Sequence, residues 1–232
     1  MNRFLKPVAT AFLAALLSIL APAARSQDAQ HSLYAVAYLE VLPGKDKQAR
    51  RLIADYVADA RRAAGALAIN ALVRTGYPNQ FALVEQWQTQ KARDDFGATE
   101  AAKNFRTAFA KIESAGVDER VQGPLYVESE KPAPLPPIIV MTHIDIIPTA
   151  LEQGRARIKQ LVESNRHQNS NVRFDVLVQT NRQNHMTLIE GWKFQRDKDT
   201  ESAARDTVSY RHDLGPMSGS PYDERTYRPI SQ

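Results

Sequence analysis

Two short stretches of this 232-residue chain gather residues that could do acid–base and aromatic chemistry. Phe81-Ala82-Leu83-Val84-Glu85-Gln86-Trp87 and Met186-Thr187-Leu188-Ile189-Glu190-Gly191-Trp192 each place a Glu and a Trp two positions apart. In an extended strand that spacing sends both side chains to one face. A carboxylate among apolar neighbours has a raised pKa, because burial disfavours its charged form. It is then suited to taking a proton from a phenol or quinol. An indole is large and rigid enough to bound a planar ring. Glu85 and Glu190 are therefore candidate catalytic groups, and Trp87 and Trp192 candidate substrate-binding groups. The structural alternatives are carboxylates paired with arginine and tryptophans packed in a core.

A second pair sits on the strands expected to open each half. Alternation puts Tyr34, Val36, Tyr38 and Glu40 on one face, and Ile139, Met141, His143 and Asp145 on the equivalent face. With an ordinary pKa near 6.5, His143 is the candidate general base. It is expected to act on a phenolic hydroxyl with Glu190 orienting it or sharing the proton, and Tyr38 is a candidate substrate-binding residue. A histidine satisfied within the core is the structural alternative. The other histidines, at 31, 167, 185 and 212, have no metal-ligand spacing, so no metal is expected. No phosphate loop, nucleophile elbow or dinucleotide fingerprint is present. The absence of cysteine excludes disulfides and a thiolate nucleophile.

The elements that must position these groups follow from periodicity. A strand is expected over Tyr34–Leu42 and a helix over Asp46–Ala64, where Ala49, Ile53, Val57 and Ala60 recur at helical spacing. Strands over Leu67–Thr75 and Phe81–Trp87 flank the turn Gly76-Tyr77-Pro78-Asn79 and read as an antiparallel hairpin. Its register is expected to set Glu85 near Ala71, on an inner face shared with Ile69, Val73, Leu83 and Trp87. Ala82 and Val84 would then face the helices. A helix over Ala92–Ile112 and a short strand over Pro124–Val127 complete the order βαββαβ, the ferredoxin-like unit.

Residues 129–137 form a Pro-rich linker, extended and stiff. After it the unit repeats. Shifting the chain by 105 residues aligns Tyr34–Val127 with Ile139–Gln232 without a gap. Identity holds at 21 of 94 positions, against about 6% for unrelated composition. Asp118-Glu119-Arg120 falls on Asp223-Glu224-Arg225 and is expected to be a turn before the last strand of each unit. Two α+β domains, 31–128 and 138–232, are expected to pack as an internal pseudo-dimer, and further oligomerisation is open.

The stretch Val172-Arg173-Phe174-Asp175-Val176-Leu177-Val178, then Asn184 and Leu188-Ile189-Glu190-Gly191-Trp192, resembles the antibiotic biosynthesis monooxygenase family, as does Phe81–Trp87. The resemblance implies two ferredoxin-like units whose sheets close into one α/β barrel around an apolar pocket. It also implies oxidation of an electron-rich aromatic by dioxygen without a cofactor. Haem-degrading relatives carry a His nine or ten residues after the Trp. Those positions here are Phe96 and Gly97, and Glu201 and Ser202, which points away from haem. The polar, weakly periodic helix expected over Arg196–His212 suggests that the second half is the degraded one.

Residues 1–26 read as a signal peptide: Arg3 and Lys6, an apolar run from Val8 to Ala21, then Ala24-Arg25-Ser26. That run is shorter than the roughly 20 residues a membrane span needs. A periplasmic or secreted protein follows, with no stable membrane insertion after the signal is removed. Without Arg3, Lys6 and Arg25 the formal charge falls from +4 to +1, so nucleic acid is not an expected partner. The expected function is an exported, cofactor-independent monooxygenase-like protein acting on a quinol or phenol-like substrate. The alternative is a non-catalytic duplicated barrel that binds a small apolar ligand or serves as an interaction module.

Overall fold

The computed structural model describes residues 32–129, 134–167 and 170–230. The expected signal peptide and residues 130–133 of the linker lie outside them. The first unit runs β1 (Leu33–Glu40), α1 (Asp46–Ala60), β2 (Ala66–Arg74), β3 (Gln80–Trp87), α2 (Gln90–Gly97), α3 (Glu100–Phe109) and β4 (Asp118–Tyr126). The second runs β5 (Ile138–Asp145), α4 (Leu151–Arg166), β6 (Asn171–Gln179), β7 (His185–Trp192), α5 (Gln195–Ser202), α6 (Arg205–Leu214) and β8 (Asp223–Pro229).

The helix expected over Ala92–Ile112 is two helices. Thr99 breaks it: its hydroxyl donates to the Phe96 carbonyl at 2.7 Å and accepts from the Ala102 N–H, capping α3. The Asp-Glu-Arg repeats are the first residues of β4 and β8, not turns before them. All eight strands pair antiparallel in one closed barrel ordered β1-β3-β2-β8-β5-β7-β6-β4. Each unit alone would leave two open edges. Here β2 pairs with β8 and β4 with β6, so each half closes the other's edges.

The 105-residue offset extends to individual bonds. Arg61 donates to the Ile69 carbonyl and Arg166 to the Phe174 carbonyl. The Asn79 amide donates to the Val41 carbonyl and Asn184 to the Ile146 carbonyl. The duplication is therefore a property of the fold as well as of the sequence.

Two readings of the sheet need correction. Glu85 sits opposite Ile69, and Ala71 opposite Leu83, a shift of two residues that keeps the faces. The faces themselves are reversed. Ile69, Val73, Leu83 and Trp87 pack with Ile53 and Val57 of α1 and with Phe96 and Phe109, outside the barrel. Ala82 and Val84 join Tyr34, Val36, Leu72, Met141 and Ile189 inside it. Both faces of these strands are buried, so alternation separates two apolar sets without saying which meets the helices. The lumen is consequently a packed core. A space of about 100 Å³ remains at the end crossed by the linker, beside Tyr34, Gln86 and Leu135. There Pro136 passes so close to β7 that a Cβ on Gly191 would lie 2.7 Å from its ring.

Candidate active site

A cavity of about 510 Å³ lies between the outer face of the first unit's sheet and its helices. Ligand pockets typically measure about 300–1,000 Å³. Ala37 and Leu39 of β1 and Leu83 and Glu85 of β3 form its floor. Tyr56 of α1, Arg93, Phe96 and Gly97 of α2, and Phe105 and Arg106 of α3 form its walls. Val117 and Glu119 close one side. The amphipathic period of α1 and α3 dictates this: their apolar faces turn to the sheet, and small residues at 37 and 97 leave room between them. Tyr56 packs on Phe105 with ring centroids 4.5 Å apart and edge-on to Phe96 at 5.4 Å, giving an aromatic wall.

Glu85 is the polar centre of this wall. Its Oε1 accepts from the Tyr56 hydroxyl at 2.6 Å and its Oε2 from Trp87 Nε1 at 2.9 Å. Arg93 Nε lies 3.9 Å from the same Oε2, too far for a hydrogen bond, and is a buried donor without a partner among the described residues. The other end of Arg93 is held by Glu119 at 2.6 Å. Burial raises the Glu85 pKa, and the bonds from Tyr56 and Trp87 and the nearby Arg93 charge only partly offset it. Burial and then the Glu85 charge raise the Tyr56 pKa, so its phenol remains a donor. The arrangement is a carboxylate of raised proton affinity at an aromatic cavity, beside an unsatisfied guanidinium N–H.

Trp87 is fully buried behind this wall, stacked on Phe96 at 5.5 Å, and it supports Glu85 instead of lining the cavity. Trp192 is equally buried and donates to Glu190 Oε2 at 3.1 Å. Neither indole has the open face expected of a ring-binding residue.

The second unit has the same framework but almost no space. Around Glu190 the equivalent cavity shrinks to about 10 Å³. At the 105-residue offset Ala37 is replaced by Thr142, Gly97 by Ser202 and Val117 by Tyr222, all larger. Leu161 replaces Tyr56, so Glu190 has no phenol donor, and Glu201 replaces Phe96 and accepts from Thr207 at 2.6 Å. Burial first, then the neighbouring Glu224 charge, pushes the Glu190 pKa up to about 7.

The expected pairing of His143 with Glu190 does not occur. His143 lies opposite Thr187 and Glu190 opposite Val140, so the two side chains leave opposite faces of the β5–β7 pair. His143 instead points to the barrel end away from the linker. Its Nδ1 is 3.1 Å from the Met186 carbonyl and must carry the proton there. Its Nε2 is 3.4 Å from His185 Nδ1, and His185 Nε2 is 3.5 Å from Asp145. Burial, with help from Arg120 and His185, lowers the His143 pKa to about 4. Tyr38 lies between the twin guanidinium groups of Arg120 and Arg225, 4.9 and 5.6 Å from its ring centre. Burial raises its pKa. Thus Glu85 alone among the expected site residues lines the large cavity.

Tyr56, Arg93, Phe96, Phe105, Arg106 and Glu119 were not singled out as site residues from sequence. One signal for three of them was available. Arg106 and Glu119 are identical in both halves and Arg93 keeps its charge as Lys198, a persistence through the duplication that apolar packing does not require. Among the described residues no group of His, Asp and Glu is placed to hold a metal ion.

Residues 32–108, the half that holds the cavity, match the antibiotic biosynthesis monooxygenase family model. No curated protein sequence matches the chain. Among solved structures, a candidate monooxygenase from Fusobacterium nucleatum superposes with a TM-score of 0.74 at 17% identity, covering 87% of this chain and 93% of its own. One from Lactobacillus acidophilus gives 0.67 at 14%, covering 86% and 94%. An anthrone oxidase-like protein gives 0.69 at 10%, covering 87% and 92%. At these identities the likeness establishes the two-unit barrel and a monooxygenase-like fold, and nothing finer.

Proposed function

We propose that this chain, whose residues 32–108 match the antibiotic biosynthesis monooxygenase family model, uses that half to oxidise a small hydroxyaromatic compound with dioxygen. The observation that carries the reading is Glu85: a buried carboxylate of raised proton affinity opening on an aromatic-walled cavity of about 510 Å³. Ionised, it takes the phenolic proton of the bound ring. The phenolate is electron-rich and supplies the electrons to dioxygen itself, so no separate reductant enters. Oxygen joins the activated ring carbon as a hydroperoxide, which loses water. The balance is a ring CH₂, in its keto form, plus O₂ giving C=O plus H₂O.

Arg93 lines the cavity beside Glu85, and its positive charge there favours a developing oxyanion, an interaction that gains strength as charge forms. Tyr56 and Trp87 hold the carboxylate in place. The second half serves as the other wall of the barrel, its own cavity being filled. Export to the periplasm or beyond is part of the same proposal and rests on the first 26 residues. The proposal is tested by oxygen uptake of the protein lacking residues 1–26, with anthrone and a panel of quinols, against the protein-free rate. Uptake above that rate, with one oxygen atom of each O₂ consumed retained in the product and the other released as water, supports it. If no member of the panel is consumed yet the cavity binds them, the ligand-binding reading replaces it.

A further inference from the structure

The two cavities share a framework, and the filled one shows what the open one lacks. In the second half Arg211 donates from Nη1 to the Ser202 carbonyl at 3.0 Å and from Nη2 to Glu224 Oε2 at 2.8 Å. Its twin Arg106 keeps the first bond: Nη2 donates to the Gly97 carbonyl at 2.8 Å. It does not keep the second. Glu119, the twin of Glu224, is drawn to Arg93 at 2.6 Å. Among the described residues Arg106 has no acidic partner, and its guanidinium lines the 510 Å³ cavity. Four N–H donors therefore remain on a cation fixed by one carbonyl at the cavity wall.

We infer that Arg106 is the site of a carboxylate carried by the substrate, so that the preferred ligand is a hydroxyaromatic acid. The inference deepens the reading of this cavity as the substrate site. The chain supplies its own picture of the complex, because the Glu224 carboxylate already occupies the corresponding place on Arg211. Shape agrees: Phe96, Phe105 and Tyr56 give the cavity an aromatic lining, and Glu85 and Arg93 are its polar groups near a ring hydroxyl. A planar, bidentate partner is what guanidinium recognises best, and lysine would serve less well.

Two air-stable probes test this, 1-hydroxy-2-naphthoate and 1-naphthol, which share the ring and hydroxyl and differ in the carboxylate. Their dissociation constants are measured by calorimetry on the whole protein lacking residues 1–26. A charge-assisted pair predicts the acid to bind about 10- to 100-fold tighter. That ratio should fall to about one in Arg106→Gln, recover in part in Arg106→Lys, shrink with added salt, and persist in Arg211→Gln. Arg106 is exposed, so its variants are expected to fold, and melting temperatures check this. Equal binding of both probes by the wild type, a ratio that survives Arg106→Gln, or no binding of either probe overturns the inference. Oxygen uptake separates the two claims. An Arg106-dependent ratio without turnover of any quinol leaves the carboxylate site standing and removes the oxidation. Turnover with no Arg106-dependent ratio does the reverse.

Discussion

Replacing Glu85 with Gln removes the proposed base and little else. Trp87 Nε1 can only donate, so the Gln oxygen must turn to it, where Oε2 now accepts at 2.9 Å. The amide NH₂ then faces the Tyr56 hydroxyl, which reverses from donor to acceptor across the present 2.6 Å contact. Two charge-assisted bonds become neutral ones, a loss of about 1 kcal/mol each. Against this stands the removal of a buried charge. Because the Glu85 pKa is raised in the fold, its ionised form costs stability as pH climbs from the unfolded value through the folded one. Above that range Gln escapes the cost, and below it both side chains are neutral. The variant should therefore melt within a few degrees of wild type at pH 8. Turnover should fall about 10²- to 10⁴-fold, equivalent to about 2.7–5.4 kcal/mol in the barrier. The wild-type rate should rise with pH through a value above the 4.5 of an unperturbed carboxylate. Oxygen uptake across pH, with thermal melts on the same samples, reads all three. Full turnover in Glu85→Gln refutes the base, and a rate lost only in step with melting temperature makes Glu85 a strut.

Other perturbations should be as specific. Glu190, with its pKa pushed from 4.5 to about 7, should make the protein lose stability between pH 4.5 and 7 by up to about 3 kcal/mol; in Glu190→Gln, denaturant melts should show that dependence largely gone. Val117→Tyr copies Tyr222 into the first half and should abolish 1-naphthol binding by calorimetry, with a stability change below about 1 kcal/mol because residue 117 is exposed. His143→Ala should leave turnover within about twofold, since the imidazole faces the barrel and not the cavity; a loss approaching the 10²-fold of a missing base would reinstate it.

Much of the architecture was legible because duplication and period are long-range signals. A 105-residue offset, the βαββαβ order and the apolar alternation each involve many residues, and together they led to two similar units packed as a pseudo-dimer; closure into one barrel was what the family resemblance implied. The orientation of that alternation was not legible. On β3, Ala82 and Val84 are as apolar as Leu83, so nothing in the pattern tells lumen from helix side, and the Glu85–Trp87 pair was assigned to the wrong face. The same uncertainty joined His143 to Glu190, which stand on opposite faces of β5–β7. Residues of the helices were harder still. Tyr56, Phe96 and Phe105 are apolar residues on helices, and such a residue becomes a cavity wall only where its neighbours are small. Ala37, Gly97 and Val117 open the space that Thr142, Ser202 and Tyr222 close, and those positions are far apart in the chain.

Where an aromatic ligand binds is the point on which the rest depends. A crystal of the protein lacking residues 1–26, soaked with 1-hydroxy-2-naphthoate, would show it directly. The expected density is a single flat molecule between β3 and helices α1–α3, its hydroxyl toward Glu85 and its carboxylate toward Arg106. Density instead within the barrel beside Tyr38 and His143, or beside Glu190 in the second half, would contradict the assignment of the first-half cavity as the site.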